Sequence, residues 1–465
     1  MSAPEASRLR RDLGTLESYA TLVGILVGAG IFRVTSDAWR LTGSSVVLGY
    51  LVLAPAVLAT CVPFAVFVST PLGRTPGGEY VHISRTFGGT GLAFLGAWLK
   101  IISYCGALAY LAGAFADYVL APSGAVHTIV ALATLVAFGV LHALGVRWFG
   151  RLQVAMCALL GVSILVLVVP GLFAIRAAHY APFFNGGKMG FLASLPLLFF
   201  SYAGFESLAQ TAGEVRNSTR RLPLVFVRGV LWTTLVFFLM SFVAFGVLPG
   251  AELAASSAPM TAVARVYLPV GAAWIVTLGA LMAIATSLNA SMLVPSRLAI
   301  MLAADGVAPR WIATIAPRTG TPVLGLALTC GLSAALVASG RVGLALDIAV
   351  LALVLLYLLH SIALLVVPRR NPQLYASREV RLPAWLEKSA AWISIASMGG
   401  LVAVLVRQDL RTLRSDEFAT RAARGQWTSV ELLAAWSLLG GAVYVMHRRR
   451  RIQSPVSSAV VGPVS

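Results

Sequence analysis

Apolar runs of about 20 residues recur along the whole chain, separated by short polar segments rich in arginine. A helix rises 1.5 Å per residue, so a run of roughly 20 residues spans the ~30 Å hydrocarbon core of a bilayer. Twelve runs can be placed, near 16–38, 45–69, 92–120, 124–146, 153–175, 191–212, 223–248, 271–303, 321–339, 342–367, 387–406 and 429–447. Two of them are interrupted. The first contains GILVGAGIF (24–32), whose three glycines each cost about 1 kcal/mol relative to alanine in a helix. The sixth contains LLFFSYAGFESLAQTAGEV (197–215), broken mid-span by Ser201, Gly204 and the acidic Glu206.

The composition fits the pattern. Hydrophobic residues make up 58% of the chain and charged residues 11%, whereas soluble domains average about 25% charged. The chain therefore reads as an all-α integral membrane protein with 12 transmembrane helices, not as a soluble protein with buried helices. A net charge of +18 would suggest nucleic acid in a soluble protein. Here the charges sit in short loops, and the expected partner is membrane lipid. Of the Lys and Arg residues, 23 fall on the side of the N-terminus and of the loops after runs 2, 4, 6, 8 and 10. Eleven fall on the other, and Lys100 lies inside run 3. The positive-inside rule then predicts a multi-pass protein of the cell (inner) membrane with both termini cytoplasmic. Five of the eleven lie in a predicted loop at 407–428, interleaved with Asp409, Asp416 and Glu417.

The organisation expected is a cytoplasmic segment 1–15, a ten-helix core 16–367 built of units 16–175 and 191–367, and peripheral helices 11 and 12 within 368–447. A basic stop and an uncharged tail predicted to be disordered follow at 448–465. Arg8, Arg10 and Arg11 flank the first run as a retained start. Cys61, Cys105, Cys157 and Cys330 lack metal spacing and read as free packing residues. Six scattered histidines without ligand spacing argue against a metalloenzyme. With no P-loop either, neither a cofactor nor an enzymatic activity is expected.

Run 1 crosses in one direction and run 6, five crossings later, in the other. Matched interruptions in two opposed five-helix units point to an inverted-repeat transporter with its site at the midplane. A break near Gly28–Gly30 exposes N–H groups and the positive dipole end of the outer half-helix, which suit a carboxylate. The inner half of run 1 ends in carbonyls such as that of Leu26, and run 6 adds carbonyls near Phe200 and Ala203, which suit an ammonium. A zwitterionic amino acid fits both. Such non-helical backbone is tolerable at membrane depth only where it lines a cavity.

Four segments carry a family resemblance. They are GAGIF (28–32), FSYAGFES (200–207) with GEVRNSTRRLP (213–223), PGGEYVHISRTFG (76–88) and SRLAIMLAADGVAPRWIATIAPRTGTP (296–322). In these motifs and their order, over about residues 12–450, the chain resembles the amino acid–polyamine–organocation (APC) superfamily. The resemblance implies the LeuT-type fold, a 5+5 inverted repeat with discontinuous helices 1 and 6, and alternating access. By position it places the substrate carboxylate on N–H groups near Ala29, Gly30 and Ile31, and the amino group on carbonyls of Leu26, Phe200 and Ala203. It makes Phe200 and Tyr202 an aromatic lining or gate. Many members carry a Lys in helix 5 in place of a sodium ion; the corresponding VAMCALLGVSIL (154–165) has none. Ser291 stands where some members have a bulky aromatic, implying a roomier pocket, and Arg33 follows the first motif unusually.

The candidate substrate-binding set is thus Leu26, Gly28, Ala29, Gly30, Ile31, Phe200, Ser201, Tyr202, Ala203, Gly204, Ser287 and Ser291. Glu206 and Lys100 are the candidates for proton coupling or gating. Glu206 reads as a proton carrier or as a cap on N–H groups freed at the break. Lys100 reads as a displaced cation replacing sodium, or as a snorkelling residue, which its distance of roughly 8 residues from the inner end favours. Thr286 and Ser287 could offer oxygens to a sodium ion, or bond their own helix. Asp347 and His360 are possible relay members, though His360 could meet headgroups near the inner end, and Tyr357 reads as packing. The pocket residues offer no counter-charge for a charged side chain, which favours neutral substrates. A secondary transporter of amino acids or amines, with proton symport or exchange, is the expectation. A channel or a non-transporting sensor on the same scaffold is the alternative, but no filter loop or signalling domain is evident. The sequence leaves the oligomeric state open.

Overall fold

The computed structural model describes residues 13–28, 30–119, 124–415 and 427–453. Helices dominate, in the order α1 (Thr15–Leu26), α2 (Thr35–Thr42), α3 (Val46–Val68), α4 (Gly78–Phe87), α5 (Gly91–Val119), α6 (Ala125–Ala143), α7 (Val146–Gly171), α8 (Gly187–Tyr202), α9 (Ser207–Gln210), α10 (Ser218–Val247), α11 (Gly250–Ala255), α12 (Pro259–Tyr267), α13 (Val270–Ala304), α14 (Val323–Ala338), α15 (Val342–Arg370), α16 (Pro372–Ala376), α17 (Ala384–Ser415) and α18 (Ser429–Gln453). Helix is what lipid demands, because it pairs every backbone group within the segment. Among the described residues, eleven stretches are long and apolar enough to cross a membrane. The predicted run 321–339 is the shorter α14, whose 16 residues reach ~24 Å at helical rise.

Both predicted interruptions are present. Run 1 is split into α1 and α2 by a non-helical step at Val27 and Gly28 and a wide π-type turn over Gly30–Val34. Run 6 is split into α8 and α9 by a turn over 203–206, where Ala203 is extended and Gly204 has φ +106°. That positive φ is open to glycine and strained for other residues.

The loops expected on one face do meet. Arg85 pairs with Asp305, Thr321 donates to the His142 carbonyl, and Glu379 accepts from Arg74, Thr219 and Arg220. These bonds connect the loops after runs 2, 4, 6, 8 and 10 on the arginine-rich side. Hydrogen bonds from Arg220 and Thr219 hold the Glu379 carboxyl below its usual range. Leu13 forms a parallel bridge with Val215 on the same side, tying the start of the described chain to the turn after α9.

Around the breaks α15 lies along α5, α13 along α7 and α5, and α10 along α3. Their inward faces are closely packed, while Leu231, Trp232 and Leu235 on α10 and Val136 and Val140 on α6 point outward, as lipid-facing residues should. Several boundaries differ from the sequence reading: α7 starts at Val146 and not at 153, α10 at Ser218 and not at 223, and α18 runs on to Gln453. The predicted loop 407–428 begins late, because α17 continues to Ser415. Asp409 sits on that helix and accepts from the Ser429 hydroxyl and the Val430 N–H, capping α18. Of the predicted basic stop and tail at 448–465, residues 448–453 continue α18, and 454–465, like residues 1–12, lie outside the described residues.

Candidate functional site

The two breaks face each other. A Cβ added at Gly30 would lie 2.5 Å from the Ser201 Cβ and 2.6 Å from its Cα. One added at Gly28 would lie 1.7 Å from the Ser287 Oγ, and one at Gly204 2.8 Å from Ile25. The glycines are therefore needed for close approach as well as for breaking the helix. Ser201 is linked onward to Tyr50 (3.4 Å) and Tyr50 to Thr35 (2.8 Å), joining α8 to the start of α2 through α3.

A cavity opens between the breaks. It is lined by Ile25, Leu26 and Gly30 of the first interruption, by Phe200, Ser201, Ala203 and Gly204 of the second, and by Ser287 and Ser291 of α13. Ser103, Tyr104, Ala107 and Leu111 of α5 with Ala349 and Leu353 of α15 complete it. Its volume is about 40 Å³, against roughly 10–15 Å³ for one water. The space thus suits a compact molecule. No Asp, Glu, Lys, Arg or His is among these lining residues.

Eight of the twelve proposed substrate residues line the cavity: Leu26, Gly30, Phe200, Ser201, Ala203, Gly204, Ser287 and Ser291. Gly28 abuts Ser287 behind it, Ile31 is fully buried away from it, and Ala29 lies outside the described residues. Tyr202 points elsewhere, its hydroxyl donating to the Tyr50 carbonyl (3.0 Å) and to Thr234 (3.1 Å). Phe200 remains at the cavity, edge-on to Tyr110. The Phe200 carbonyl accepts from the Ala203 N–H (3.0 Å), so it already has a partner. Thr286 and Ser287 do reach run 1, but as donors to the carbonyls of Gly24 and Ile25.

Behind the cavity lies a buried polar cluster that the sequence reading met only in pieces. Lys100 does not snorkel. Its Nζ donates to both oxygens of Glu79 on α4 (2.7 and 2.8 Å) and sits 3.8 Å from Glu206 Oε1, with all three side chains at most 1% exposed. α4 covers the end of α5, and Lys100 ends in a carboxylate instead of water. Glu206 accepts from the Gly204 N–H (3.0 Å), the Tyr104 hydroxyl (2.5 Å) and the Tyr357 hydroxyl. It is therefore the cap on the break, and Tyr357 binds it instead of merely packing. Gln210 of α9 donates to Glu79 (2.6 Å). Burial pushes the Glu79 carboxyl up, and the Lys100 ammonium opposes that. Of the residues missed, Tyr104 had a signal: it stands four residues after Lys100, on the same helix face.

His360 is not at a headgroup. It is fully buried, with Nε2 3.0 Å from His82 Nδ1, and both rings pack against Phe67. Burial, helped by the Lys100 charge, holds His82 down at about 3 from an ordinary 6.5. The unfolded chain then binds more protons between those values, so stability should be full above about pH 6.5 and fall as the pH drops. A thermal-melt series across this range should show that decline, and His82→Gln should flatten it; an equal slope in the variant would exclude His82 as its source.

The sequence profile described as "Amino acid permease" matches residues 13–415, most of the chain. The chain belongs to this amino acid permease family. It is a multi-pass membrane transporter and not an enzyme. The permease is 31% identical over 322 residues to an uncharacterized transporter of Mycobacterium tuberculosis, covering 68% of this chain and 70% of that one. It is 24% identical to the branched-chain amino acid permease of Bacillus subtilis, covering 68% and 71%. It is also 24% identical to the methylthioribose transporter of the same organism, covering 82% and 86%. Relatives equally similar to this permease thus carry different substrate names.

Proposed function

We propose that this permease moves small neutral amino acids, or closely related amines, by alternating access, coupled to protons by symport or exchange. The observation that carries the reading is the cavity between two opposed helix breaks, lined by hydroxyls and apolar groups without a charged side chain. Backbone dipoles at the breaks would then grip the zwitterion: N–H groups near Ala29, Gly30 and Ile31 hold its carboxylate, and carbonyls at Leu26 and Ala203 its ammonium. Ile25, Ala107, Leu111 and Leu353 leave the substrate side chain an apolar environment, in which an unpaired charge would be costly. The branched-chain amino acid permease among the relatives agrees with that preference.

The same reading completes the topology. α14 serves as a ninth span, giving twelve, with 16–175 and 191–367 as inverted units, 368–447 peripheral, and both termini cytoplasmic in the cell (inner) membrane. Glu206 and Lys100 remain the ionisable candidates for coupling or gating. The test is uptake of a panel of labelled amino acids into proteoliposomes, with and without an inward proton gradient. Neutral amino acids should accumulate and compete with one another, and the gradient should increase their uptake or exchange. Uptake confined to compounds with charged side chains would overturn the proposal.

A further inference from the structure

The cluster behind the cavity holds two carboxylates and one ammonium, all buried. With both carboxylates ionised it carries one uncompensated negative charge in a low-dielectric setting, which binding of one proton removes. The geometry gives that proton a place. Tyr104 and Tyr357 donate to Glu206, and a tyrosine hydroxyl can donate or accept. If a carboxylate oxygen of Glu206 gains an O–H bond from hydronium, leaving water, a facing tyrosine can reverse and accept it. Nothing is oxidised or reduced. The geometry also gives the proton a consequence. Glu206 holds the Gly204 N–H, and Gly204 and Tyr104 both line the cavity. Lys100 holds Glu79, and Gln210 ties Glu79 to α9.

We propose that Glu79, Lys100 and Glu206 form one proton-binding site, in which Lys100 is a built-in counter-cation shared by two carboxylates, and that its occupancy reaches the substrate cavity through Tyr104 and Gly204. This rests on the transport reading above and names its coupling site. The ionisable groups facing it are His82 on α4, Tyr104 on α5, Tyr357 and His360 on α15, and the buried Cys61 on α3. Arg297 on α13 is engaged by Glu214. Each of these stays present in the variants below, so they share one background.

The charge count makes opposite predictions for two substitutions. Glu79→Gln leaves Lys100 to Glu206 alone and should weaken proton binding. Lys100→Met leaves two carboxylates without a cation and should strengthen it. Infrared difference spectra of the full-length permease in liposomes, titrated in pH without substrate, read the protonated carboxyl directly. Its midpoint should move to lower pH in Glu79→Gln and to higher pH in Lys100→Met, each by at least about tenfold in proton affinity, which is ~1.4 kcal/mol. Lys100→Arg should leave it nearly in place. The pH profile of amino acid exchange should shift in the same directions. Glu79→Gln is nearly isosteric and decides the question even if Lys100→Met does not fold. Midpoints that stay put while exchange falls, or that move the same way in Glu79→Gln and Lys100→Met, would overturn the proposal and leave a purely structural ion pair. If no labelled amino compound is exchanged, the substrate reading fails, and the infrared titration still judges the proton site.

Discussion

Replacing Gly30 with alanine is expected to cut uptake by at least about tenfold while leaving the protein inserted. The added Cβ would fall 2.5–2.6 Å from the Cβ, Cα and Oγ of Ser201. One of those atoms is backbone, so no rotamer change relieves the clash, and the two breaks must move apart. Overpacking typically costs about 1–3 kcal/mol, and here it falls on the groups proposed to hold both ends of the substrate. Losing even ~1.4 kcal/mol of substrate contact is tenfold in affinity, so uptake should drop by at least about that factor. Gly30→Leu should be worse still. A fluorescent fusion run on a sizing column checks insertion. Gly161→Ala on α7, where an added Cβ meets nothing within 4 Å, is the matched control and should transport normally. A well-folded Gly30→Ala protein with unchanged uptake would remove the facing breaks from the substrate site.

The second large effect is on stability. Arg297 of α13 donates to Glu214 from Nε (3.3 Å) and Nη2 (3.2 Å), and from Nη1 to Ser296 (3.1 Å), with both partners 1% exposed. Glu214 sits in the turn after α9, and its carbonyl also accepts from the Leu13 N–H. Arg297→Met removes the buried Arg297–Glu214 ion pair, and breaking such a pair typically costs about 3–5 kcal/mol. A large fall in melting temperature in detergent should follow. Arg297→Met with Glu214→Leu should recover most of it, because two apolar groups of similar volume often replace a buried pair at little cost. Losses that simply add in the double variant would show that the two side chains do not act as a pair.

Both effects involve contacts between distant parts of the chain, which explains how the sequence reading succeeded and failed. The breaks were legible because glycine and a mid-span carboxylate weaken a helix wherever it packs. The proposed lining was only partly legible. Residues 200–204 were all assigned to the site, but α8 remains helical through Tyr202. Successive side chains there point ~100° apart, so Ser201 faces the cavity while Tyr202 turns to α3 and α10. The snorkelling reading of Lys100 fails for a related reason. Distance to the membrane surface follows from counting residues, but the presence of α4 over that end of α5 does not.

The chain's order of apolar and polar residues by itself determined the membrane class, most of the helices, the two interruptions and the family. Each of those is set by a contiguous stretch, through hydropathy and backbone preference. Only the tertiary structure decided which polar groups meet inside. Glu79 finds Lys100 across 21 positions, Tyr104 finds Glu206 across 102, Tyr357 finds it across 151, and His82 finds His360 across 278. In a dry interior each such group must be satisfied by whatever helix packs beside it, and that neighbour is chosen by the packing of the whole bundle.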